Sequence, residues 1–203
     1  MDKKNKKTGK FIPNLSRNFW IVLSSICVFF IIFVAAGFIV YKLGNTEVVE
    51  RSADGGYVTL NYVTDADALT LVNANPTVDA TGMKNNSYFA FSVDVDLKEA
   101  SKIEYEISLK KDEELSSISD DDIKIYLEKE NNGVFMKSFG PEKFTPLDKT
   151  SDVGTSRGNM VLANVKKIKS GTDNYRLRIW LSDNSTSMNK SYSVEVEIKA
   201  VAK

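Results

Sequence analysis

The chain of 203 residues has no histidine, a single cysteine and only four prolines. Without histidine there is no imidazole ligand for a metal, and no Ser-His or Cys-His pair to activate a nucleophile. The lone thiol, Cys27, can form no disulfide within the chain. A net charge of zero, from 27 basic and 27 acidic side chains, leaves no basic excess to attract nucleic acid. Gly154-Thr155-Ser156-Arg157-Gly158 fits G-x-S-x-G, but a nucleophile elbow needs a following helix and a histidine base. Fragments of a penicillin-binding pattern fare no better. Ser187-Met188-Asn189-Lys190 and Ser182-Asp183-Asn184 crowd one loop, and Lys7-Thr8-Gly9 lies near the N-terminus. Nothing around Lys190 would desolvate its amine and lower its pKa. No catalytic residue is assigned, and the sequence reads as that of a non-enzyme.

What the chain does have is one long apolar run. Phe19–Tyr41 spans 23 residues without a charge between Arg17 and Lys42. As a helix it would reach about 35 Å, enough to cross a hydrocarbon core of about 30 Å. Trp20 and Tyr41 stand near its ends, where amphipathic rings settle at the headgroups. Six basic residues and Asp2 precede the run, so the N-terminal tail carries five positive charges and the remainder five negative. Basic flanks stay on the cytoplasmic side. The run exceeds the 7–15 residues of a typical cleaved signal peptide core. The expected organisation is a cytoplasmic tail (1–18), an uncleaved signal anchor in contact with membrane lipid (19–41), a polar stalk (42–56) and an extracellular domain (57–203).

Beyond Tyr57 the apolar residues alternate with period two, the signature of half-buried strands. Strands are expected at 57–63, 68–72, 88–97, 102–110, 123–128, 134–138, 160–165, 175–181 and 191–200. Phe89, Phe91, Val93, Val95 and Leu97 share one face, as do Ile103, Tyr105, Ile107 and Leu109. So many one-faced strands require two sheets packed face to face. If 88–97 and 102–110 formed a hairpin, Asp94 and Asp96 would meet Glu104 and Glu106, which is unfavourable. The two strands are therefore expected in different sheets. Arg176 and Arg178 face outward, and flanking them with Glu104, Glu106, Glu195 and Glu197 gives the sheet order 102–110, 175–181, 191–200.

Gly171-Thr172-Asp173-Asn174-Tyr175-Arg176-Leu177-Arg178-Ile179 resembles the start of the sixth strand in immunoglobulin-like and fibronectin type III sandwiches. That resemblance implies a hydrogen bond from Tyr175 back to the preceding corner. The paired cysteines and core tryptophan of antibody domains are absent, and the domain is longer. An extended or jelly-roll-like sandwich stands beside the immunoglobulin-like one. The chain is also similar to the single-anchor, sandwich-type surface proteins of low-GC Gram-positive bacteria, which implies a place at the cell surface.

Two sets of residues are candidates for binding. Asp120, Asp121 and Asp122 form an acidic loop, and calcium is the one ion such a loop would take, although EF-hand spacing is missing. Trp180 and Tyr126 fall on outward-facing positions, where exposed rings can stack on sugar or anchor a protein partner. No other cofactor or metal is implied. The expected role is binding, adhesion or assembly through a protein or a cell-surface glycan. The alternatives are a sugar-binding or hydrolytic accessory domain using carboxylates, and a subunit of a multi-protein membrane complex.

Overall fold

The computed structural model describes residues 46–51, 56–62 and 68–202. The tail 1–18 and the apolar run 19–41 lie outside the described residues. Among the described residues no helix is long and apolar enough to cross a membrane.

Ten strands follow in chain order: β1 (Thr46–Arg51), β2 (Tyr57–Tyr62), β3 (Ala68–Val72), β4 (Phe89–Asp96), β5 (Ile103–Lys111), β6 (Ile123–Asn131), β7 (Val134–Glu142), β8 (Met160–Lys167), β9 (Gly171–Leu181) and β10 (Ser191–Ala202). A short helix α1 (Asp79–Gly82) lies between β3 and β4, and a 3-10 turn (Asp120–Asp122) leads into β6. The fold is all-β, with two antiparallel sheets. One has the order β1-β2-β4-β9-β6-β7 and the other β3-β10-β5-β8. From β3 to β10 the chain alternates between sheets at every step except the β6–β7 hairpin. That is the connectivity of an eight-stranded jelly roll, with the β1–β2 hairpin added beside β4.

Alternation in sequence becomes alternation in burial. Phe89, Phe91, Val93 and Val95 of β4 are buried, as are Ile103, Tyr105, Ile107 and Leu109 of β5, in one apolar cluster fed by both sheets. Each large apolar side chain so buried contributes about 1.5–3 kcal/mol. The β6–β7 hairpin closes through Asn132-Gly133, both at positive φ (51° and 81°), the geometry of a two-residue type I′ turn.

The acidic strands β4 and β5 do fall in different sheets, as charge repulsion requires. The order expected around the arginines does not hold. β5 and β10 are neighbours, but β9 lies in the other sheet between β4 and β6. Local lysines satisfy the glutamates instead: Lys102 pairs with Glu104, and Lys110 lies within 3.8 Å of both Glu195 and Glu197. Arg178 pairs with Glu128 of β6. Residues 46–51, expected within a polar stalk, form β1 and pair with β2. Thr46-Glu47-Val48-Val49-Glu50-Arg51 has no period-two pattern, and its pairing carries a register shift between Val48 and Glu50.

Candidate binding face

The two sheets present their outer faces differently. On the four-stranded sheet the loop 143–159 is tied down over β5 and β10. Ser151 donates its hydroxyl to Glu106, which is only 5% exposed, and Asn159 donates to Glu197 at 2.8 Å. On the six-stranded sheet the chain between β3 and β4 covers one end of the outer face, and among the described residues nothing covers the rest.

The covered end holds Trp180 and Tyr126. Both point away from the sandwich core, as their sequence parity predicts, yet they are 3% and 7% exposed. Their rings meet edge to face, with centroids 6.5 Å apart. Gly82 of α1 lies so close to the Trp180 indole that a methyl group there would overlap the ring. This cover is anchored to β9: Thr77 N–H donates to Leu181 C=O at 2.9 Å, and Arg178 Nε donates to Asn85 C=O at 2.7 Å. Trp180 and Tyr126 are thus not presented to solvent as a partner-binding pair. Burial, followed by the nearby Glu128, pushes the Tyr126 phenol up, with Arg178 opposing.

The open part is arranged in rows across the strands. Ala90, Arg176 and Glu128 are in register on β4, β9 and β6, and Lys137 follows on β7. The next row contains Asn61, Ser92, Asn174, Glu130 and Phe135. Beyond it, Asp94 bridges β2 and β9, accepting from Asn61 Nδ2 at 2.6 Å and from the Thr172 hydroxyl. Asn174 Nδ2 donates to Glu130 at 2.7 Å, which fixes the amide. Among the described residues no side chain pairs with the Ser92 hydroxyl or the Lys137 ammonium.

Arg176 stands at the centre. Its guanidinium carbon lies 3.6 Å from the Phe135 ring centroid and 4.6 Å from that of Tyr88, which is 36% exposed just before β4. The guanidinium of Arg178 also reaches the Tyr88 ring, at 5.1 Å. Glu128 is committed to Arg178, and among the described residues no carboxylate pairs with Arg176. Such cation–π contacts hold a guanidinium by its faces and leave its N–H edges available.

The acidic turn is organised differently. Asp120 accepts from the Tyr192 hydroxyl at 2.9 Å and pairs with Lys111 at 3.0 Å. Asp121 pairs with Lys143, and Asp122 accepts from the Ser187 hydroxyl. Burial opposes the charge on Lys111, but its bonds to Asp120 and Glu113 outweigh that and hold its amine above the usual lysine range. Among the described residues no three acidic side chains converge as a metal site would require. Ser187 faces Asp122 rather than Lys190, and Ser156 of the G-x-S-x-G segment is exposed in the covering loop.

Tyr88, Phe135, Arg176 and Asn174 are the functional candidates that sequence reasoning missed. The outward parity of Arg176 was readable, but the convergence of rings from β4 and β7 upon it depends on strand order. Comparison with protein-family models, with curated proteins and with solved structures gave no match.

Proposed function

We propose that this chain is a membrane-anchored, non-catalytic binding module that engages its partner through the open outer face of the six-stranded sheet. The observation that carries this reading is Arg176, held by the Phe135 and Tyr88 rings at 3.6 and 4.6 Å and paired with no carboxylate among the described residues. An aromatic ring, a fixed cation and outward-facing amide and hydroxyl groups on rigid strands form a pre-organised recognition surface. Jelly-roll connectivity is shared by lectin domains among others, so the face and not the fold carries the argument. The anchor rests on the sequence: the apolar run 19–41, with five net positive charges before it, favours an exported C-terminal domain.

The test is photo-crosslinking on intact cells producing the full-length chain. A photoreactive side chain at Asn174 is expected to capture surface material, and one at Lys149 on the opposite sheet's covering loop is not. Tyr88→Ala is expected to reduce the capture. Equal capture from both positions would reject this face as the binding site. Resistance of residues 57–203 to protease added outside the cells would reject the topology.

A further inference from the structure

We infer that β7, the edge strand of the six-stranded sheet, pairs with β7 of a second copy of this chain, antiparallel about a two-fold axis at Met136. The inference goes beyond the binding reading above and does not rest on it.

A sheet edge exposes unpaired backbone groups, and proteins guard such edges with short strands, charges or bulges. Three of the four edges here carry these guards. β3 has only five residues. β1 holds Glu47, Glu50 and Arg51, and its pairing shifts register between Val48 and Glu50. β8 ends in Lys166-Lys167, and its pairing with β5 shifts register at Ile107. β7 is different. Val134 to Lys137 pair with β6 without interruption, the register shifts come only after Lys137, and Lys137 is the one charge before Glu142. Among the described residues no strand lies beyond it.

The side chains of β7 also ask for cover. Val134 and Met136 register with Asn131 and Lys129, and Lys129 reaches Asp173 on the core side of the sheet. Six strands here face four, so β7 gains little from the opposite sheet. Val134 and Met136 stay 62% and 57% exposed.

Backbone phase selects the partner. In the two-residue hairpin at Asn132-Gly133 the flanking Asn131 and Val134 exchange both hydrogen bonds, and bonded and non-bonded pairs alternate from there. Val134 and Met136 therefore turn their backbone groups to β6, and the N–H and C=O of Phe135 and Lys137 point away from it. A second β7 meets those groups in phase at few registers. An axis at Lys137 would oppose two ammonium groups. An axis at Phe135 would set the outward groups of Lys137 against Gly133 in the turn. An axis at Met136 sets Phe135 opposite Lys137 of the second copy, and Lys137 opposite its Phe135, each pair exchanging two hydrogen bonds. Each ammonium then lies beside a ring instead of another cation. The two Met136 side chains meet on the axis, and Val134 of each copy lies diagonal to Met136 of the other. The strand is thus complementary to itself, which a strand of another protein need not be. A contact of this kind closes at two copies.

The test uses purified full-length Cys27→Ser protein in detergent micelles. Sedimentation is expected to give the protein mass of two chains. In a non-bonded antiparallel pair the Cα atoms lie about 4.5 Å apart, within disulfide reach. Met136→Cys should therefore link the two copies under mild oxidation, and Lys149→Cys, on the opposite sheet's covering loop, should not. Met136→Lys sets two ammonium groups face to face on the axis and should give monomers that unfold at the parent's temperature. If Met136→Lys fails to fold, the Met136→Cys link decides alone. The inference is overturned if the parent is monomeric, if a folded Met136→Lys chain stays dimeric, or if Met136→Cys does not link.

Discussion

Tyr105 on β5 and Asp173 on β9 meet across the two sheets, the tyrosine hydroxyl donating to a carboxylate oxygen at 2.6 Å. The same carboxylate pairs with Lys129 of β6 and Lys167 of β8, each at 2.9 Å, and Tyr105 also meets the Tyr175 hydroxyl at 2.8 Å. Four strands from both sheets are thus joined at one acidic side chain. Burial disfavours the Asp173 charge, but the bonds from Tyr105, Lys167 and Lys129 more than offset it and hold the carboxyl below its usual range.

Replacing that carboxylate removes charge-assisted bonds worth about 1.5–3 kcal/mol together with the anchor for Tyr105. Asp173→Ala should lower the urea midpoint of the purified chain at neutral pH by a corresponding amount. Because the folded-state pKa is depressed, this contribution is present above the ordinary carboxylate range and lost as pH falls through the folded value. The gap between parent and variant should therefore shrink as the pH is taken below the ordinary carboxylate range. A gap that persisted or widened in acid would assign the stabilisation to something other than the ionised carboxylate.

Three phenols should resist ionisation. Burial above all pushes Tyr105, Tyr175 and Tyr192 well above the usual tyrosine range, with Asp173 or Asp120 adding to it and the bond from Tyr105 partly opposing it at Tyr175. A raised folded-state pKa contributes stability that is complete below the unfolded value of about 10 and is lost as pH rises beyond it. In an absorbance titration, these three of the chain's eight tyrosines should ionise only together with unfolding. A smooth titration of all eight near pH 10, with the β signal intact, would contradict the buried clasp.

Calcium should leave the fold unchanged. Tyr192, Lys143 and Ser187 already occupy Asp120, Asp121 and Asp122, and the three carboxylates turn to different partners. A site with a dissociation constant of about 0.1 mM would add about 2.7 kcal/mol at 10 mM calcium, a readily visible rise in melting temperature. No rise is expected in that titration, and a rise of that size would show that the turn rearranges around the ion.

The strands were legible because each carries its own signal. Period two in Phe89-Ala90-Phe91-Ser92-Val93 is decided locally, by which side chains enter the core. The like charges of Asp94, Asp96, Glu104 and Glu106 were enough to separate β4 from β5. The placement of β9 was not legible, because Arg176 and Arg178 could pair with carboxylates of either sheet and exposed pairs are too weak to choose. β1 was hidden for a related reason: an edge strand pairs through its backbone, and its side chains need not alternate. Tyr175 shows a shift of boundary. β9 begins at Gly171, so Tyr175 lies within the strand facing the core, and its hydroxyl meets Tyr105 instead of the preceding corner. The outward aromatics Trp180 and Tyr126 fall on the expected face, but a cover contributed by a segment of the chain remote from both strands leaves no mark in local sequence.

That cover depends on Gly82. A Cβ at that position would overlap the Trp180 indole, so no side chain fits, and the indole N–H is buried without a hydrogen-bond partner. Gly82→Ala must lift α1 or turn the ring, at the cost typical of overpacking, about 1–3 kcal/mol. Because the cover also supplies the Asn85 carbonyl to Arg178, lifting it should loosen the arginine that holds Glu128 away from Arg176. In a Trp20→Phe background, the emission of Trp180 should shift to the red and become accessible to acrylamide in the Gly82→Ala chain. Capture through a photoreactive side chain at Asn174 should fall as well, although no residue of the open face has been changed. Unchanged emission and capture would mean that the cover and the open face are independent, and that Gly82 is only a convenient small residue.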